Sequence, residues 1–175
     1  MHISIRKGTV ADAADLTEIG IVTFTEKWKD NYDQKTLQTY LSKAYDAAVI
    51  LRELQQEVVT YLIATAENQM IGFAKLSRRQ QLAEWITEPC LEVCRIYVLQ
   101  AFQDHKAGAR LMDAAIEIAK EEKLQSVVLG VWENNHRAIS FYKKLGFEQI
   151  GTHPFLTGDV VETDWVMRKE VVSSE

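Results

Sequence analysis

Abundant cysteine and long apolar runs, typical of secreted and membrane proteins, are missing from this 175-residue sequence. Its two cysteines, Cys90 and Cys94, are too few for a disulfide framework. If they share one extended strand, a spacing of four residues separates their Cα atoms by about 13 Å, far beyond disulfide reach. We therefore expect two reduced thiols, as in a cytoplasmic protein.

Signals for membranes, secretion and domain linkers are equally scarce. No run of 18 apolar residues occurs, so we expect no membrane span. The segment Met1–Lys7 lacks the long apolar region of a signal peptide. The chain has only two prolines, no repeats and no Pro/Gly/Ser-rich linker, so we expect one domain over 1–172 and a short tail at 173–175.

An excess of basic charge is also lacking. The sequence has 20 basic and 25 acidic side chains, a formal net charge of −5, which argues against general nucleic-acid binding. A local loop or helix end can still bind an anion. Apolar residues make up 47% and charged residues 26%, as in ordinary globular proteins, so the bulk of the chain is expected to be ordered.

Residue periodicity predicts the order β-α-α-α-β-β-β-α-β-α-β-β, which indicates an α/β fold with one mixed sheet and helices on both faces. The predicted strands cover 2–6, 58–66, 70–76, 91–99, 126–132, 147–151 and 163–167. Helices are expected after the caps Thr9, Asp33 and Asn135, around 49–54, and through 111–119. We expect 78–88 to be a loop, with Trp85 exposed or folded back.

A polar turn between a strand and a long helix is the first candidate site. It reads Gln103-Asp104-His105-Lys106-Ala107-Gly108-Ala109-Arg110. Backbone N–H groups at a helix start suit phosphate, Gly108 permits close approach, and Lys106 and Arg110 add cationic donors. The alternative is a connection that binds nothing, as in most strand-turn-helix units.

A second pattern follows the apolar strand at 126–132. It reads Asn135-His136-Arg137-Ala138 and then Phe141-Tyr142-Lys143-Lys144-Leu145-Gly146-Phe147. Together with the turn that begins at Gln103, this pattern resembles the two signatures of the GNAT family of acetyl-CoA-dependent N-acetyltransferases, in the same order and spacing. Residues 129–133, 141–147 and 151–155, with Thr23-Phe24, are most similar to the PaiA-type spermidine/spermine N-acetyltransferases.

The resemblance implies the GNAT fold, with a mostly antiparallel sheet, and acetyl-CoA as cosubstrate. The N–H groups of Ile96, Tyr97 and Val98 would polarise the thioester carbonyl, in a strand that splays from the one at 127–132. The implied cofactor-binding residues are Ile96, Tyr97, Val98, Gln103, Asp104, His105, Lys106, Ala107, Gly108, Ala109, Arg110, Asn135, Tyr142 and Lys144. Lys106 departs from the family, which usually has glycine there. If this position requires a positive φ, lysine is strained there, which puts affinity in question.

The resemblance also implies direct acetyl transfer in a ternary complex. Tyr142 would protonate the departing thiolate; its alternative is a core tyrosine. Glu92 would take the amine's proton directly or through water; its alternative is a solvated or salt-bridged strand carboxylate. Asn135 would bind the pantetheine arm, cap its helix, or do both. Cys94, next to Glu92 on the same face, is the less favoured acyl acceptor.

The acceptor is expected to be a small primary amine, with a polyamine such as spermidine or spermine favoured. Phe24, Trp28, Tyr32 and Glu92 are the substrate-binding candidates, since aromatic faces and carboxylates suit polycations. The alternatives are a protein or peptide amine, a CoA-binding sensor without transfer, and self-pairing of the C-terminal strands, which would allow a homodimer. No metal-ligand pattern links the histidines and cysteines.

Overall fold

The architecture is that of a computed structural model, which describes residues 1–157 and 159–171. The seven strands are β1 Ile3–Lys7, β2 Val59–Ala66, β3 Gln69–Ser77, β4 Cys90–Val98, β5 Ser126–Trp132, β6 Glu148–Thr157 and β7 Val160–Glu170. The α-helices are α1 Ala13–Trp28, α2 Gln34–Ala44, α3 Ala47–Leu54, α4 Ala107–Glu121 and α5 His136–Lys144. Short 3₁₀ helices span Val10–Asp12 and Gln100–His105.

The strands form one mixed sheet in the order β1-β2-β3-β4-β5-β7-β6. β1 with β2, β5 with β7, and β6 with β7 pair antiparallel, whereas β4 and β5 pair parallel. The register of β4 with β5 runs from Cys90↔Ser126 to Val93↔Leu129. The predicted α/β sheet and order of elements are confirmed, and the splayed segment of β4 stays a prediction.

The predicted boundaries differ from the structure at two helix starts and at the C-terminal hairpin. Thr9 precedes the 3₁₀ helix Val10–Asp12 rather than α1, which begins at Ala13, and α4 begins at Ala107 rather than near 111. Strands were expected at 147–151 and 163–167, but β6 and β7 pair as far as Thr157↔Val160. A register shift between Gln149 and Gly151 lets β6 continue. Pro154 is tolerated because β6 lies at the sheet edge. The predicted tail at 173–175 lies outside the described residues.

Aspartate and asparagine caps explain where three helices begin. Asp33 Oδ1 accepts from Thr36 N at 2.7 Å at the start of α2, as predicted. Asp46 Oδ1 accepts from Ala48 N at 2.8 Å at the start of α3, a cap that the sequence analysis missed. Asn135 Oδ1 accepts from Ala138 N at 3.3 Å at the start of α5. Each bond satisfies an N–H that has no acceptor within its helix.

The chain divides into two compact units, and each is described by itself. Unit 1 comprises Met1–Leu76 and Arg95–Ala114, and unit 2 comprises Ser77–Cys94 and Ala115–Glu175. The single domain predicted over 1–172 stays a prediction.

Helices α1, α2 and α3 build the core of unit 1 with β2 and β3. Leu16, Ile50, Ile63 and Phe73 are almost fully buried there. Gly20 on α1 makes room for a large side chain, because a Cβ at this position would lie 2.1 Å from Tyr45 Cδ1. The Tyr45 ring can therefore pack directly against α1.

The segment between β3 and β4 packs on the sheet of unit 2. Ile86, with partly buried Leu82 and Ala83, contacts a buried group of Cys90, Val128 and Val166. Trp85 is both exposed and folded back, because its ring is 52% exposed and lies where a Cβ on Gly151 would be. Among residues 1–157 and 159–171, no helix combines the length and apolar character that crossing a membrane requires.

Candidate functional site

The polar turn of unit 1 connects β4 to α4 through a 3₁₀ helix and one left-handed residue. Gln100–His105 is helical, Lys106 has φ 63° and ψ 21°, and α4 begins at Ala107. The bond from Arg110 N to Lys106 O, 3.1 Å, joins the turn to α4. A right-handed residue followed by a left-handed one turns successive N–H groups towards one concavity, an arrangement that binds anions.

Lys106 therefore occupies the conformation that glycine adopts most easily. Strain was expected for this lysine only if its φ is positive, and the φ of 63° meets that condition. A lysine in the left-handed region costs about 1 kcal/mol relative to glycine. The side chain of Lys106 is exposed, so its ammonium is free to meet an anion at the turn.

The turn's other side chains divide into exposed and tethered groups. Asp104 and His105 are exposed. Gln103 Nε2 donates to Val98 O at 3.3 Å. Arg110 Nη1 donates to the backbone oxygen of Ile3 at the start of β1. Arg110 stays a predicted phosphate donor, and one of its nitrogens, Nη1, is engaged by Ile3 O.

The end of β4 packs against a glycine of β3. A Cβ on Gly72 would lie 2.8 Å from Tyr97 O and 3.1 Å from Val98 Cγ2, so only glycine fits there without a shift. Ile96, Tyr97 and Val98 are half-buried. Leu99 N donates to Ile71 O at 2.8 Å, which fixes the chain where it leaves the strand. Gly72 is a positioning residue that the sequence analysis missed.

The three aromatic substrate candidates meet in unit 1. Phe24 and Trp28 have ring centroids 6.3 Å apart, and those of Trp28 and Tyr32 are 6.0 Å apart. Tyr40 stacks on Phe24 at 4.3 Å, and Trp28 Nε1 donates to Tyr97 Oη at 3.4 Å. Phe24 is buried, whereas Trp28 and Tyr32 are half-buried. The group thus joins α1 and α2 to the end of β4.

A buried cationic group beside these rings was not anticipated. The Arg95 Cζ atom lies 5.0 Å from the centroid of the Tyr45 ring. Within the described residues, Arg95 Nη1 and Tyr45 Oη are buried without a hydrogen-bond partner. Burial raises the pKa of Tyr45, so its phenol stays neutral. Contacts between α2 and β4 bring the two together, and spacing along the chain gives no signal for this.

Glu92 lies in unit 2 and is buried. Only 9% of its surface is exposed, so it is not the solvated carboxylate considered as an alternative. Its Oε1 accepts from Gln81 N at 2.9 Å, which fastens the 78–89 segment to β4. Cys94 Sγ contacts Glu92 O at 4.0 Å. Cys90 and Cys94 are not disulfide-bonded, and burial raises the pKa of Cys90 to about 11, so this thiol is protonated at neutral pH.

Helix α5 positions three further candidates in unit 2. Asn135 caps the helix, which is one of the two roles predicted for it. Tyr142 is 8% exposed, and its ring packs on Phe147 with centroids 5.9 Å apart. Lys144 is exposed on the last turn. The helix therefore holds the Tyr142 ring in one orientation.

Asp164 on β7 is a carboxylate that the motifs gave no reason to select. Burial raises its pKa to about 6, and the charge of His153 opposes this shift. It pairs with Trp132 of β5 and with His153 of β6. Within 1–157 and 159–171, no three His, Cys, Asp or Glu side chains are grouped so as to hold a metal ion.

Comparison with known proteins identifies the family. The profile of the acetyltransferase (GNAT) family matches residues 17–147. An uncharacterised N-acetyltransferase of the pepI 3′ region of Lactobacillus delbrueckii subsp. lactis is 26% identical over 161 residues, covering 92% of this chain and 93% of the relative. An N-alpha-acetyltransferase of Sulfurisphaera tokodaii is 30% identical over 147 residues, covering 83% and 80%.

Solved structures share the fold. A PaiA N-acetyltransferase from Thermoplasma acidophilum in complex with coenzyme A has a TM-score of 0.79 and 24% identity, covering 97% of this chain and 99% of that one. The ribosomal-protein-S18-alanine N-acetyltransferase of Escherichia coli has a TM-score of 0.69 and 16% identity, covering 99% and 97%. GNAT acetyltransferases use acetyl-CoA, and this chain belongs to the GNAT family and is an N-acetyltransferase.

Proposed function

We propose that this N-acetyltransferase transfers the acetyl group of acetyl-CoA directly to a small primary amine, with a polyamine as the favoured acceptor. The observation that carries the proposal is the turn of unit 1, where a left-handed Lys106 opens α4 directly after β4. This turn presents backbone N–H groups and one cation in a chain with a net charge of −5, so it is a local exception suited to an anionic ligand.

The pyrophosphate of acetyl-CoA fits the turn by chemistry and charge. The N–H groups from Gln103 to Ala109 would hold it, since Arg110 N already donates to Lys106 O. The Lys106 ammonium would substitute for the close backbone approach that glycine allows elsewhere in the family. Asn135, which caps α5, would also bind the pantetheine arm, and Lys144 would add a surface cation. Acetyl-CoA supplies the activated thioester.

The remaining roles follow from what each group can donate or accept. The N–H groups of Ile96, Tyr97 and Val98 would polarise the thioester carbonyl, and preorganised donors of this kind account for a large part of many rate enhancements. Tyr142, buried against Phe147, would give its hydroxyl proton to the departing thiolate. Glu92 would help to orient the amine through the segment that it fastens at Gln81.

The aromatic group of unit 1 supports a polyamine acceptor. The rings of Phe24, Trp28 and Tyr32 are neighbours, and a ring face attracts an alkylammonium within about 6 Å. The structural likeness to the PaiA protein is consistent with this choice.

A peptide N-terminus is the second candidate, and two observations favour it. One relative is named an N-alpha-acetyltransferase, at 30% identity. In addition, the Arg95 guanidinium lies beside the same rings with one nitrogen unpartnered in the described structure, and its charge would repel a polycation.

Two measurements test the proposal in sequence. Calorimetry with coenzyme A should show binding, and its absence at millimolar concentration would contradict acetyl-CoA use. Thioester consumption should then be measured with spermidine, spermine, a peptide panel and aminoglycosides. A higher kcat/KM for spermidine supports the polyamine; a preference for peptides, lost in Arg95→Ala, supports the second candidate.

A further inference from the structure

The Asp164 carboxyl group lies over a position where β5 has no side chain. A Cβ built on Gly130 would be 3.3 Å from Asp164 Oδ2 and 3.0 Å from Leu82 Cδ2. Glycine at this position therefore leaves room for the carboxyl group between β5, β7 and the 78–89 segment. An alanine would force the carboxyl group or Leu82 to move.

Gly130 is also the residue at which β5 leaves its ladder with β4. The last β4–β5 pair in the register is Val93↔Leu129. Beyond Leu129, β5 continues to Trp132 and stays paired with β7. In the proposed function, on which this inference rests, the thioester would lie where β4 is expected to splay from β5. Asp164 Oδ2, beside Gly130, would then face the arriving acceptor nitrogen.

The surroundings of Asp164 leave its carboxylate available as a base. Within the described residues it accepts no hydrogen bond, unlike Glu92, whose Oε1 is occupied by Gln81 N. His153 of β6 and Glu162 of β7 are the charged groups that act on it, while β5 and the 78–89 segment present Gly130 and Leu82. Burial raises the pKa of Asp164 to about 6, so the group is ionised at pH 7 and a stronger base than an ordinary aspartate.

We propose that Asp164 is the catalytic proton acceptor for the acceptor amine, and that His153, paired with it across β6 and β7, tunes its basicity. The N–H bond of the ammonium breaks, its electron pair stays on nitrogen, and the proton moves to Asp164. The lone pair then forms the C–N bond while the C–S bond breaks. The thiolate leaves with a second proton from the same nitrogen, relayed through Tyr142, and Asp164 releases its proton to water.

The test compares pH profiles of kcat/KM for wild-type enzyme, Asp164→Asn and the control Glu170→Gln, which removes an exposed carboxylate from the same strand. The wild type should lose activity as the pH falls through about 6, the pKa of Asp164. Asp164→Asn should be slower by roughly 10²-fold at pH 7 and should lack this limb. Glu170→Gln should match the wild type.

A third variant keeps the inference testable if Asp164→Asn does not fold. His153→Gln removes the charge that lowers the pKa of Asp164, so the limb should move to higher pH. If the wild type acetylates amines, two results overturn this inference alone. One is an Asp164→Asn enzyme that keeps the wild-type rate. The other is a His153→Gln enzyme whose acidic limb in the pH profile does not move. An enzyme that acetylates no amine and binds no coenzyme A overturns the proposed function instead.

Discussion

At the residue scale, Tyr142 carries the sharpest prediction about catalysis. Replacing it with phenylalanine removes only the hydroxyl and keeps the packing on Phe147. We expect turnover to fall roughly 10²-fold, because the thiolate would leave without its acid. Steady-state kinetics at saturating acetyl-CoA measure this, with coenzyme A affinity as the control. Unchanged turnover with bound cofactor would remove Tyr142 from the mechanism.

Asp12 carries a prediction about stability and pH. Its carboxylate accepts from Arg6 Nη1 at 2.9 Å, Arg6 Nη2 at 2.8 Å and Thr9 N at 2.7 Å, at the start of the first 3₁₀ helix. The Arg6 hydrogen bonds lower the pKa of Asp12 to about 2. A lowered pKa stabilises the folded chain above the unfolded value near 4 and loses that contribution as the pH falls to about 2.

Asp12→Asn should therefore lower the free energy of unfolding by about 1–2 kcal/mol at pH 7, a range that allows for the half-exposed Arg6. Urea titrations of both proteins at several pH values test this. Their difference should shrink between about pH 4 and pH 2, since both then carry a neutral group. A difference that stays constant over this range would assign the effect to packing rather than to charge.

At the element scale, the junction of the 3₁₀ helix with α4 shows what a motif can predict. A polar turn followed by a helix through 111–119 was predicted here, and the structure has a 3₁₀ helix over Gln100–His105 with α4 beginning at Ala107. The left-handed conformation of Lys106 could be stated only as a condition, because lysine gives no signal for positive φ. The tether from Arg110 to Ile3 was not predictable either, since it joins residues 107 positions apart.

Lys106→Gly separates strain from binding at this junction. Glycine should raise the free energy of unfolding by about 1 kcal/mol, because it removes the left-handed penalty. It should also weaken coenzyme A binding if the ammonium serves as a phosphate donor. Lys123→Gly is the matched control, since Lys123 has φ 58° and lies just beyond α4. It should give the same stabilisation with unchanged affinity. Equal affinities for both variants would deny Lys106 a role at the phosphate.

The C-terminal hairpin shows the limit of reading elements from short patterns. β6 continues past the predicted end at Gly151 because a register shift and an edge position accommodate Gly151 and Pro154. That extension places His153 opposite Asp164, which lies in the strand predicted over 163–167. The pairing of these two residues was therefore missed because the end of β6 was predicted too early.

At the scale of the whole molecule, the order of elements was predictable and part of the site was not. Periodicity and caps predicted all seven strands and five helices of the described chain, since each is a local property. Asp164 and the Arg95–Tyr45 contact depend on which strands and helices become neighbours. A motif built on local spacing predicts a candidate cofactor turn and a candidate catalytic tyrosine, but it does not predict these partners.

The stability of the whole chain should report on the cosubstrate. A ligand that binds only the folded state raises the free energy of unfolding by about 2.7 kcal/mol at 100 times its Kd. Coenzyme A should therefore raise the Tm, whereas pantetheine at the same concentration should do so much less, because it lacks the pyrophosphate that the turn is proposed to hold. The effect should weaken with added salt, since the attraction between phosphate and Lys106 is exposed to solvent. Thermal unfolding at a series of ligand and salt concentrations measures both trends, and equal shifts for coenzyme A and pantetheine would contradict an anchor at the turn.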